Sequence, residues 1–295
     1  MTDFCIASPH KNELWYDYRL FVNLKRALLA LGFTSKAAAH NRIYFLGAPQ
    51  LQFYPEVGKF DTQANNIALI YSHAEKLQSL DAFSKIFVCS EPVKRYLQNK
   101  FKGSISDDNL EKIEVLAPFS SLSPSAKTKP RYACDISFIG TPRVRPIVEA
   151  IVPIVEKHQL KFHLFGPNWD SYPGDPRANN YFVARSLPYE EIPMLARGSK
   201  ICLIDHHQTM SEMGAVSHKY VDFVRAGAFV ISDNNKDARE AYAGVCFETP
   251  ESLEKLILQY LQAPQLRRAQ VLHQLSLTST HTTEYAAVRL AQHFV

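Results

Sequence analysis

The sequence lacks the patterns that mark membrane-spanning and exported proteins. No stretch of its 295 residues approaches the roughly 18 consecutive apolar residues that a membrane-spanning helix needs. No basic region followed by an apolar stretch opens the chain, so no signal peptide is expected. We therefore expect a cytoplasmic protein, with the inner face of the membrane as a second place where it could act.

Cysteine is scarce, and its spacing excludes the usual cysteine-based scaffolds. The five cysteines are Cys5, Cys89, Cys134, Cys202 and Cys246. Their number is odd, none forms a Cys-x-x-Cys pair, and each lies in an apolar, strand-like run. These features indicate buried, reduced thiols and argue against a disulfide framework or a structural zinc site.

Several catalytic and binding fingerprints are also missing. There is no Gly-x-Ser-x-Gly elbow of a serine hydrolase and no Gly-Lys-Ser/Thr of a Walker loop. His206 and His207 follow Asp205 directly, but no third metal ligand has a recognisable spacing, so we predict no metal. The net charge of +4 suits an anionic ligand such as a nucleotide and does not call for nucleic acid.

What the sequence does contain is an alternation of short apolar runs and helical patterns. The periodicity predicts helices over 16–31, which Gly32 ends, and over 91–100, 146–158, 189–197 and 250–261. Strands are predicted at 4–7, 43–46, 67–71, 86–89, 113–116, 135–139, 161–165, 181–183, 201–204, 229–232 and 245–247. Continuous apolar runs of this kind are typical of a parallel sheet covered on both faces.

The stretch 118–131 interrupts this pattern and is rich in proline and serine, which is typical of a linker. A second series of strands and helices follows it. The sequence therefore predicts an α/β protein with two doubly wound, Rossmann-like domains, over 1–125 and 130–280, and a final helix near 283–294.

The segment 217–233 is the most informative part of the chain. It reads as a short helix, a glycine stop at Gly227 and a buried strand. The spacing of His218, Lys219 and Asp222 places them on one helix face near the N-terminus, just after Ser217. Such a terminus with a cation suits a diphosphate, and a carboxylate one turn further suits the hydroxyls of a ribose. The alternative is a surface helix with ordinary solvated charges.

Two residues upstream of that helix strengthen the binding interpretation. Asp205 and His206 come directly after the apolar run 201–204, at the carboxyl end of a predicted strand. Ligands of open α/β sheets bind at this edge. We therefore include both residues in a predicted nucleotide site.

Two glycines follow other predicted strands. After Gly140 come Arg143 and Arg145, which could pair with a phosphate that the glycine lets approach the backbone. Gly166 follows the strand over 161–165, and nearby Trp169 could either stack on a base or pack in a loop. An ordinary strand-to-helix turn is the alternative for both glycines.

The first domain offers fewer candidates. His73 lies just past the strand over 67–71 and could bind the donor or act as a base, although a single histidine is more often structural. Asp17, two residues after Trp15 in the first helical region, is a weaker candidate for binding an acceptor, together with Trp15.

The segment 205–233 resembles the donor-nucleotide segment of the CgeB-like branch of group 1 glycosyltransferases. The residues that carry the resemblance are Asp205, His206, Gly214, Ser217, Lys219, Asp222, Gly227, Ser232 and Asp233. Related families carry a Glu-x7-Glu motif here, of which this chain keeps only the second acid, as Asp222. The first would fall on Gly214, with Glu212 two residues away. Weaker similarity extends over most of the chain.

The resemblance implies a GT-B fold, in which two Rossmann-like domains face a cleft. The domain over 1–125 would hold the acceptor, with the helix over 280–295 packing back on it, and the domain over 130–280 would bind the donor. It also implies that the loop at Tyr189 lies against the nucleobase. His73 and Lys219 are the predicted catalytic residues.

The implied activity is sugar transfer from a nucleotide-sugar to a glycan or lipid-linked acceptor, in surface polysaccharide synthesis, with retention favoured over inversion. The nucleotide-sugar is a co-substrate, and no cofactor or metal is expected. Peripheral association with a membrane stays open, and nucleic acid is not an expected partner. The alternatives are a nucleotide-sugar epimerase and a non-catalytic nucleotide- or glycan-binding module.

Overall fold

A computed structural model describes residues 2–8, 10–11, 16–46, 56–103 and 110–295, which divide into two units. Unit 1 consists of Met1–Ser121, Gln208–His218 and Thr280–Val295, and unit 2 of Leu122–His207 and Lys219–Ser279. The segment Gln208–His218 thus belongs with unit 1, although the sequence grouped it with the second domain. The reason is apolar packing, because Ala215 is buried in the core of unit 1 and Met213 packs against that core.

Twelve strands in the described residues form two parallel sheets. The strands are β1 Asp3–Ala7, β2 Thr34–Ser35, β3 Asn41–Leu46, β4 Asn65–Ile70, β5 Lys85–Val88, β6 Ile113–Val115, β7 Cys134–Ile139, β8 Phe162–Phe165, β9 Phe182–Ala184, β10 Ser199–Ile204, β11 Val230–Asp233 and β12 Val245–Phe247. The sheet of unit 1 has the order β2-β1-β3-β4-β5-β6, and that of unit 2 the order β12-β11-β10-β7-β8-β9. Most of their central residues are buried, as continuous apolar runs require.

Helices cover both sheets. They are α1 Tyr16–Ala30, α2 Glu91–Phe101, α3 Pro146–Lys157, α4 Ile192–Gly198, α5 Gln208–Met213, α6 His218–Arg225, α7 Lys236–Glu240, α8 Pro250–Gln262, α9 Pro264–Leu277 and α10 Thr283–Ala291. In unit 1, α10 packs against α1. Leu24 and Leu28 of α1 and Leu290 of α10 are all fully buried there, so the end of the chain completes the core of the first unit.

The ends of the helices have local causes. Gly32 follows α1 with a φ of 91°, and Gly227 follows α6 with a φ of 82°. Glycine adopts this left-handed conformation without the steric penalty of a side chain. At α2 the side chain of Ser90 accepts a hydrogen bond from the amide of Val93 at 3.5 Å. The helix stops predicted at Gly32 and Gly227 are therefore confirmed.

The sheet of unit 2 has a topological switch point between β7 and β10. From β7 the chain moves to β8 on one side, and it later returns to β10 on the other side. Strands β7 and β10 pair in parallel, with Leu203 opposite Phe138. The carboxyl ends of two such strands leave a crevice between the loops that diverge from them, and ligands of open α/β sheets bind there.

The structure contains four elements that the sequence did not predict, namely β2, α5, α7 and α9. The residues of α5 were expected to form a loop. Among the described residues, no helix combines the length and apolar character needed to cross a bilayer. All five cysteines are free, and burial raises the pKa of the Cys134 thiol to about 11.

Candidate functional site

The candidate site lies at the carboxyl edge of the unit 2 sheet, at its switch point. Asp205 follows β10, and Gly140 follows β7, the neighbouring strand. The loop 140–145 after β7 and the first turn of α6 contribute their basic side chains to the surroundings of Asp205. Residues that lie far apart in the chain therefore meet where the two central strands end.

Asp205 is the centre of a buried ionic cluster. It is only 8% exposed and accepts a hydrogen bond from the guanidinium of Arg145. Its Oδ1 lies 3.3 Å from Nζ of Lys219, and its Oδ2 lies 3.5 Å from Nη2 of Arg143. Burial alone would raise the pKa of Asp205, but the charges of Lys219 and Arg145 outweigh it and lower that pKa. Three cations surround one carboxylate, so the cluster carries net positive charge.

The side chain of Arg145 is bonded to the loop 140–145 and to Asp205. Its Nε donates to the carbonyl oxygen of Thr141 at 2.7 Å, and its Nη2 donates to the hydroxyl of Thr141 at 3.0 Å. The residue is only 6% exposed, and burial lowers the pKa of its guanidinium. Since its donors are directed at Thr141 and Asp205, the role of Arg145 in this arrangement is to fix the loop after β7.

Arg143 and Lys219 are the more accessible cations of the cluster. The side chain of Arg143 is 43% exposed, and its only other hydrogen bond in the described part of the chain goes to the carbonyl oxygen of His206, at 3.4 Å. Lys219 is 26% exposed and donates to the carbonyl oxygen of Ile139 at 3.0 Å. Burial lowers the pKa of Lys219, while Asp205 opposes that shift. Both cations can therefore reach an anion that enters the crevice.

One turn further along α6, Asp222 contacts Tyr189. The phenol hydroxyl of Tyr189 donates to Oδ1 of Asp222 at 2.9 Å, across 33 residues of sequence. Both residues are partly exposed. The structure thus brings together the residue predicted to bind the ribose and the residue predicted near the base.

His206 is placed differently from the prediction. Its side chain is fully buried, and Nδ1 lies 2.5 Å from Oδ1 of Asp233, while its backbone amide donates to Oδ2 of Asp233 at 2.8 Å. A side chain in this position does not present itself to a nucleotide. Instead it ties the end of β10 to the end of β11. In the sequence, this partner is marked by the Ser232-Asp233 pair at the end of β11.

His218 does not join Lys219 and Asp222, although the helical spacing predicted one face. It belongs to unit 1, as does the partly exposed Ser217. Its ring meets that of Tyr71 edge-on with centroids 4.4 Å apart, and that of Phe119 at 6.0 Å. Burial lowers the pKa of His218 to about 3. The residue is thus a neutral part of the core of the first unit.

His73 lies in unit 1 at the end of β4, where it adopts a left-handed φ of 52°. Its Nδ1 lies 2.9 Å from Oε1 of Glu75, and its side chain is 16% exposed. Burial would raise the pKa of Glu75, but the bond from His73 lowers it. Trp15 and the side chain of Asp17 lie outside the described residues.

The two glycines allow close backbone packing. Gly166 has a φ of 135°, and a Cβ there would lie 1.9 Å from the carbonyl oxygen of Gly140. That same oxygen accepts a hydrogen bond from Nε1 of Trp169 at 2.9 Å. Trp169 is fully buried, so the structure favours packing over stacking on a base. Within the ranges that the structure covers, no group of three or more histidine, cysteine, aspartate or glutamate residues could hold a metal.

Solved structures of similar fold are known. Sucrose-phosphate synthase of Thermosynechococcus elongatus matches with a TM-score of 0.64 and 10% identity, over 99% of this chain and 98% of that one. The β-glucosyltransferase of phage T4, solved with UDP and Mn²⁺, matches with a TM-score of 0.56 and 11% identity, over 99% and 98%. TarM of S. aureus matches with a TM-score of 0.56 and 14% identity, over 92% of this chain and 58% of that one.

These likenesses confirm the GT-B fold. A comparison with the curated protein sequences found no match. The sequence profile described as glycosyl transferase-like matches residues 143–292, which is about half of the 295 residues. The matched region contains Arg143, Asp205, Lys219 and Asp222, so the cluster and the profile coincide. The chain therefore belongs to the glycosyl transferase-like family.

Proposed function

We propose that the protein transfers a sugar from a nucleotide-sugar to a glycan or glycoconjugate acceptor. The observation that carries this proposal is the cationic cluster around Asp205 at the switch point of unit 2. A cluster in which three cations surround one carboxylate suits a diphosphate. Two similar structures, the phage T4 enzyme and TarM, were solved with UDP, which supports a nucleotide as the ligand class.

In this proposal the donor lies along α6. Lys219 and Arg143 hold the diphosphate, Asp222 accepts hydrogen bonds from the ribose, and Tyr189 lies near the base. Arg145 and Asp205 keep the two accessible cations in place. Negative charge grows on the diphosphate as the glycosidic bond breaks, and fixed cations stabilise that charge most in the transition state. The same positive charge would make a metal ion unnecessary.

The first unit would hold the acceptor. His73 is the proposed polar contributor, as a base or as a contact to the donor, and Asp17 and Trp15 are proposed acceptor contacts. We expect retention of the anomeric configuration, because Asp222 occupies the place of the second acid in the resembling pattern. NMR of the first-formed product distinguishes the two outcomes, and an inverted anomer would contradict this part of the proposal. Synthesis of a surface polysaccharide is the proposed setting.

Thermal unfolding against UDP, GDP, ADP, TDP and CMP tests the donor site. A nucleotide at about 100 times its dissociation constant adds roughly 2.7 kcal/mol to the free energy of unfolding, which raises the melting temperature by about 4–5 °C for a chain of this size. We expect one nucleotide to shift the wild-type protein and to lose its effect in Asp222→Ala. The matched control is Glu240→Ala, which removes a carboxylate of α7 that is 63% exposed and should respond like wild type.

Each result has a clear meaning. A shift that survives Asp222→Ala would place the nucleotide elsewhere and contradict the assigned site. No shift with any nucleotide would contradict donor binding and favour the non-catalytic binding module. Release of free nucleotide-sugar epimer without an acceptor would favour the epimerase instead.

A further inference from the structure

A second concave surface lies at the opposite edge of the unit 2 sheet. It is a hollow of about 590 Å³ next to Ser199, the first residue of β10, and Phe229, which precedes β11. The donor-side residue Asp205 follows the last residue of the same β10. Six residues of strand at about 3.3 Å each separate the two places by about 20 Å. The hollow is therefore distinct from the proposed donor site.

The charges that line this hollow are all positive. Its ionisable lining residues, among those the structure covers, are Arg197, Lys200, Arg267 and Arg268. Lys200 pairs with Asp135 at 2.8 Å, and Arg267 donates to the carbonyl oxygens of Tyr260 and Leu261. These two cations are thus already engaged by the fold.

The other two cations have no such engagement. Arg197, in the last turn of α4, and Arg268, in α9, are exposed, and their guanidiniums make no hydrogen bond or ion pair within the described ranges. The described lining of the hollow contains no carboxylate, so two guanidiniums without partners produce a positive potential there. An anionic group is the chemistry that complements them.

Apolar surface accompanies these cations. Leu272 lies four residues after Arg268, so the two side chains share one face of α9 and both line the hollow. Leu272 is 59% exposed, while Val271 and Leu275 form part of the same lining. A small soluble anion would leave this leucine in water. A ligand with an anionic head and an apolar body would cover both features.

We propose that this hollow docks unit 2 on a membrane surface that contains anionic phospholipid. The phosphate of a lipid headgroup pairs with Arg197 and Arg268, and Leu272 enters the boundary between headgroups and acyl chains. Basic and apolar residues on one helix face are the usual basis of such interfacial binding. The inference does not depend on the proposed sugar transfer.

Vesicle co-sedimentation of the full chain tests it. Wild-type protein should bind vesicles of equal parts phosphatidylglycerol and phosphatidylcholine, and should not bind vesicles of phosphatidylcholine alone. Arg197→Glu with Arg268→Glu should weaken binding about tenfold or more, since each basic residue near an anionic surface contributes about 1 kcal/mol. Leu272→Ser should weaken it by a smaller factor. The melting temperature of each variant shows that the fold is kept.

The matched control changes the same total charge away from the hollow. Arg95→Glu with Lys255→Glu reverses two exposed cations that are outside this lining and should bind vesicles much more like wild type. Equal losses in both double variants would show dependence on net charge alone and would overturn the proposal. Displacement of the protein from vesicles by free inorganic phosphate at low millimolar concentration would also overturn it, because the hollow would then bind a small anion.

Discussion

At the scale of single residues, the three cations around Asp205 differ in how far their side chains are already bonded within the protein. The guanidinium of Arg145 donates its hydrogen bonds to Thr141 and Asp205, whereas the side chains of Arg143 and Lys219 are partly exposed to solvent. The sequence predicted Asp205, Lys219 and Asp222 as parts of one nucleotide site, and Arg143 and Arg145 as a separate candidate for a phosphate contact. It could not show which arginine faces the crevice, because adjacent positions after a strand diverge according to loop geometry. Nor could it pair Tyr189 with Asp222 across 33 residues.

Lys219→Gln should lower the transfer rate strongly. The substitution removes the positive charge that would stabilise the departing diphosphate, while Asp205 keeps its contact with Arg145. Loss of one such electrostatic contact typically costs about 10²–10³ in kcat. Steady-state kinetics at saturating donor measures the effect, with the melting temperature as a check on folding. A kcat within a factor of about three of wild type would be inconsistent with this role.

His206→Asn should act through position instead of direct contact. The side chain is fully buried and bonded to Asp233, so the change should loosen the 205–206 loop and weaken nucleotide binding together with stability. Asp233→Asn, which alters the same bond from the other side, should have a similar effect. A double-mutant cycle on nucleotide affinity measures the coupling. Additive losses in the double variant would show that the two residues act independently.

The buried imidazole of His218 should make stability depend on pH. Burial lowers its pKa to about 3, so the folded protein keeps the ring neutral. In the unfolded chain the pKa is near the ordinary value of about 6.5. The unfolded state therefore takes up a proton first as the pH falls, and the free energy of unfolding decreases from about pH 6.5 downward until about pH 3.

His218→Phe isolates this effect, since phenylalanine keeps aromatic packing against Tyr71 and Phe119 without the titrating group. The free energy of unfolding of wild type should lose about 2 kcal/mol more than the variant between pH 7 and pH 5. Urea unfolding at several pH values measures the difference. Parallel pH profiles of the two proteins would refute the assignment. Other histidines whose pKa is lowered by partial burial, such as His163, contribute equally to both curves.

At the scale of elements, most strands could be predicted from the sequence, and there are physical reasons why some other elements could not. Parallel buried strands are continuous apolar runs, which is why the long central ones were predicted within about two residues. By contrast, β2 has two residues and α7 has five, too few for a period to appear. Helix α9 buries Gln274 and exposes Leu272. The order of its polar and apolar residues therefore does not show which face packs against the protein.

Gly166 tests how tightly the elements β7 and β8 approach at the site. Gly166→Ala should destabilise unit 2 by several kcal/mol, on the order of 3–5, because its Cβ would overlap the carbonyl oxygen of Gly140 and its φ is positive. Gly58→Ala is the matched control, since Gly58 has a φ of 69° but no atom within 4 Å of the position that a Cβ would occupy. It should cost only about 1 kcal/mol. Thermal and urea unfolding compare the two, and equal losses would mean that backbone strain alone, and not the contact with Gly140, limits the site.

At the scale of the whole molecule, composition and charge already limited the ligand class, and the fold explains why. A mild net charge of +4 becomes informative only when the chain concentrates cations at particular places. Unit 2 does so at both edges of its sheet, around Asp205 and around the hollow beside α9. Sequence reasoning predicted the first place, because its residues follow strands in a familiar order. It missed the second, because Arg197 and Arg268 are brought together only by folding.

The fixed charge around Asp205 leads to a prediction for the complete protein. If Lys219 and Arg143 supply the positive charge that the departing diphosphate needs, transfer should continue at an unchanged rate in EDTA. The phage T4 β-glucosyltransferase, solved with UDP and Mn²⁺, shows that the same fold can accompany a metal ion, so the outcome depends on the side chains of this chain. The measurement is the transfer rate in EDTA, with and without added Mn²⁺, in wild type and in Lys219→Gln.

Loss of wild-type activity in EDTA that Mn²⁺ restores would assign the leaving-group charge to an ion instead of to Lys219. Partial rescue of Lys219→Gln by Mn²⁺, with wild type unaffected, would instead show that the ammonium of Lys219 supplies the positive charge at the departing diphosphate and that a metal ion can replace it.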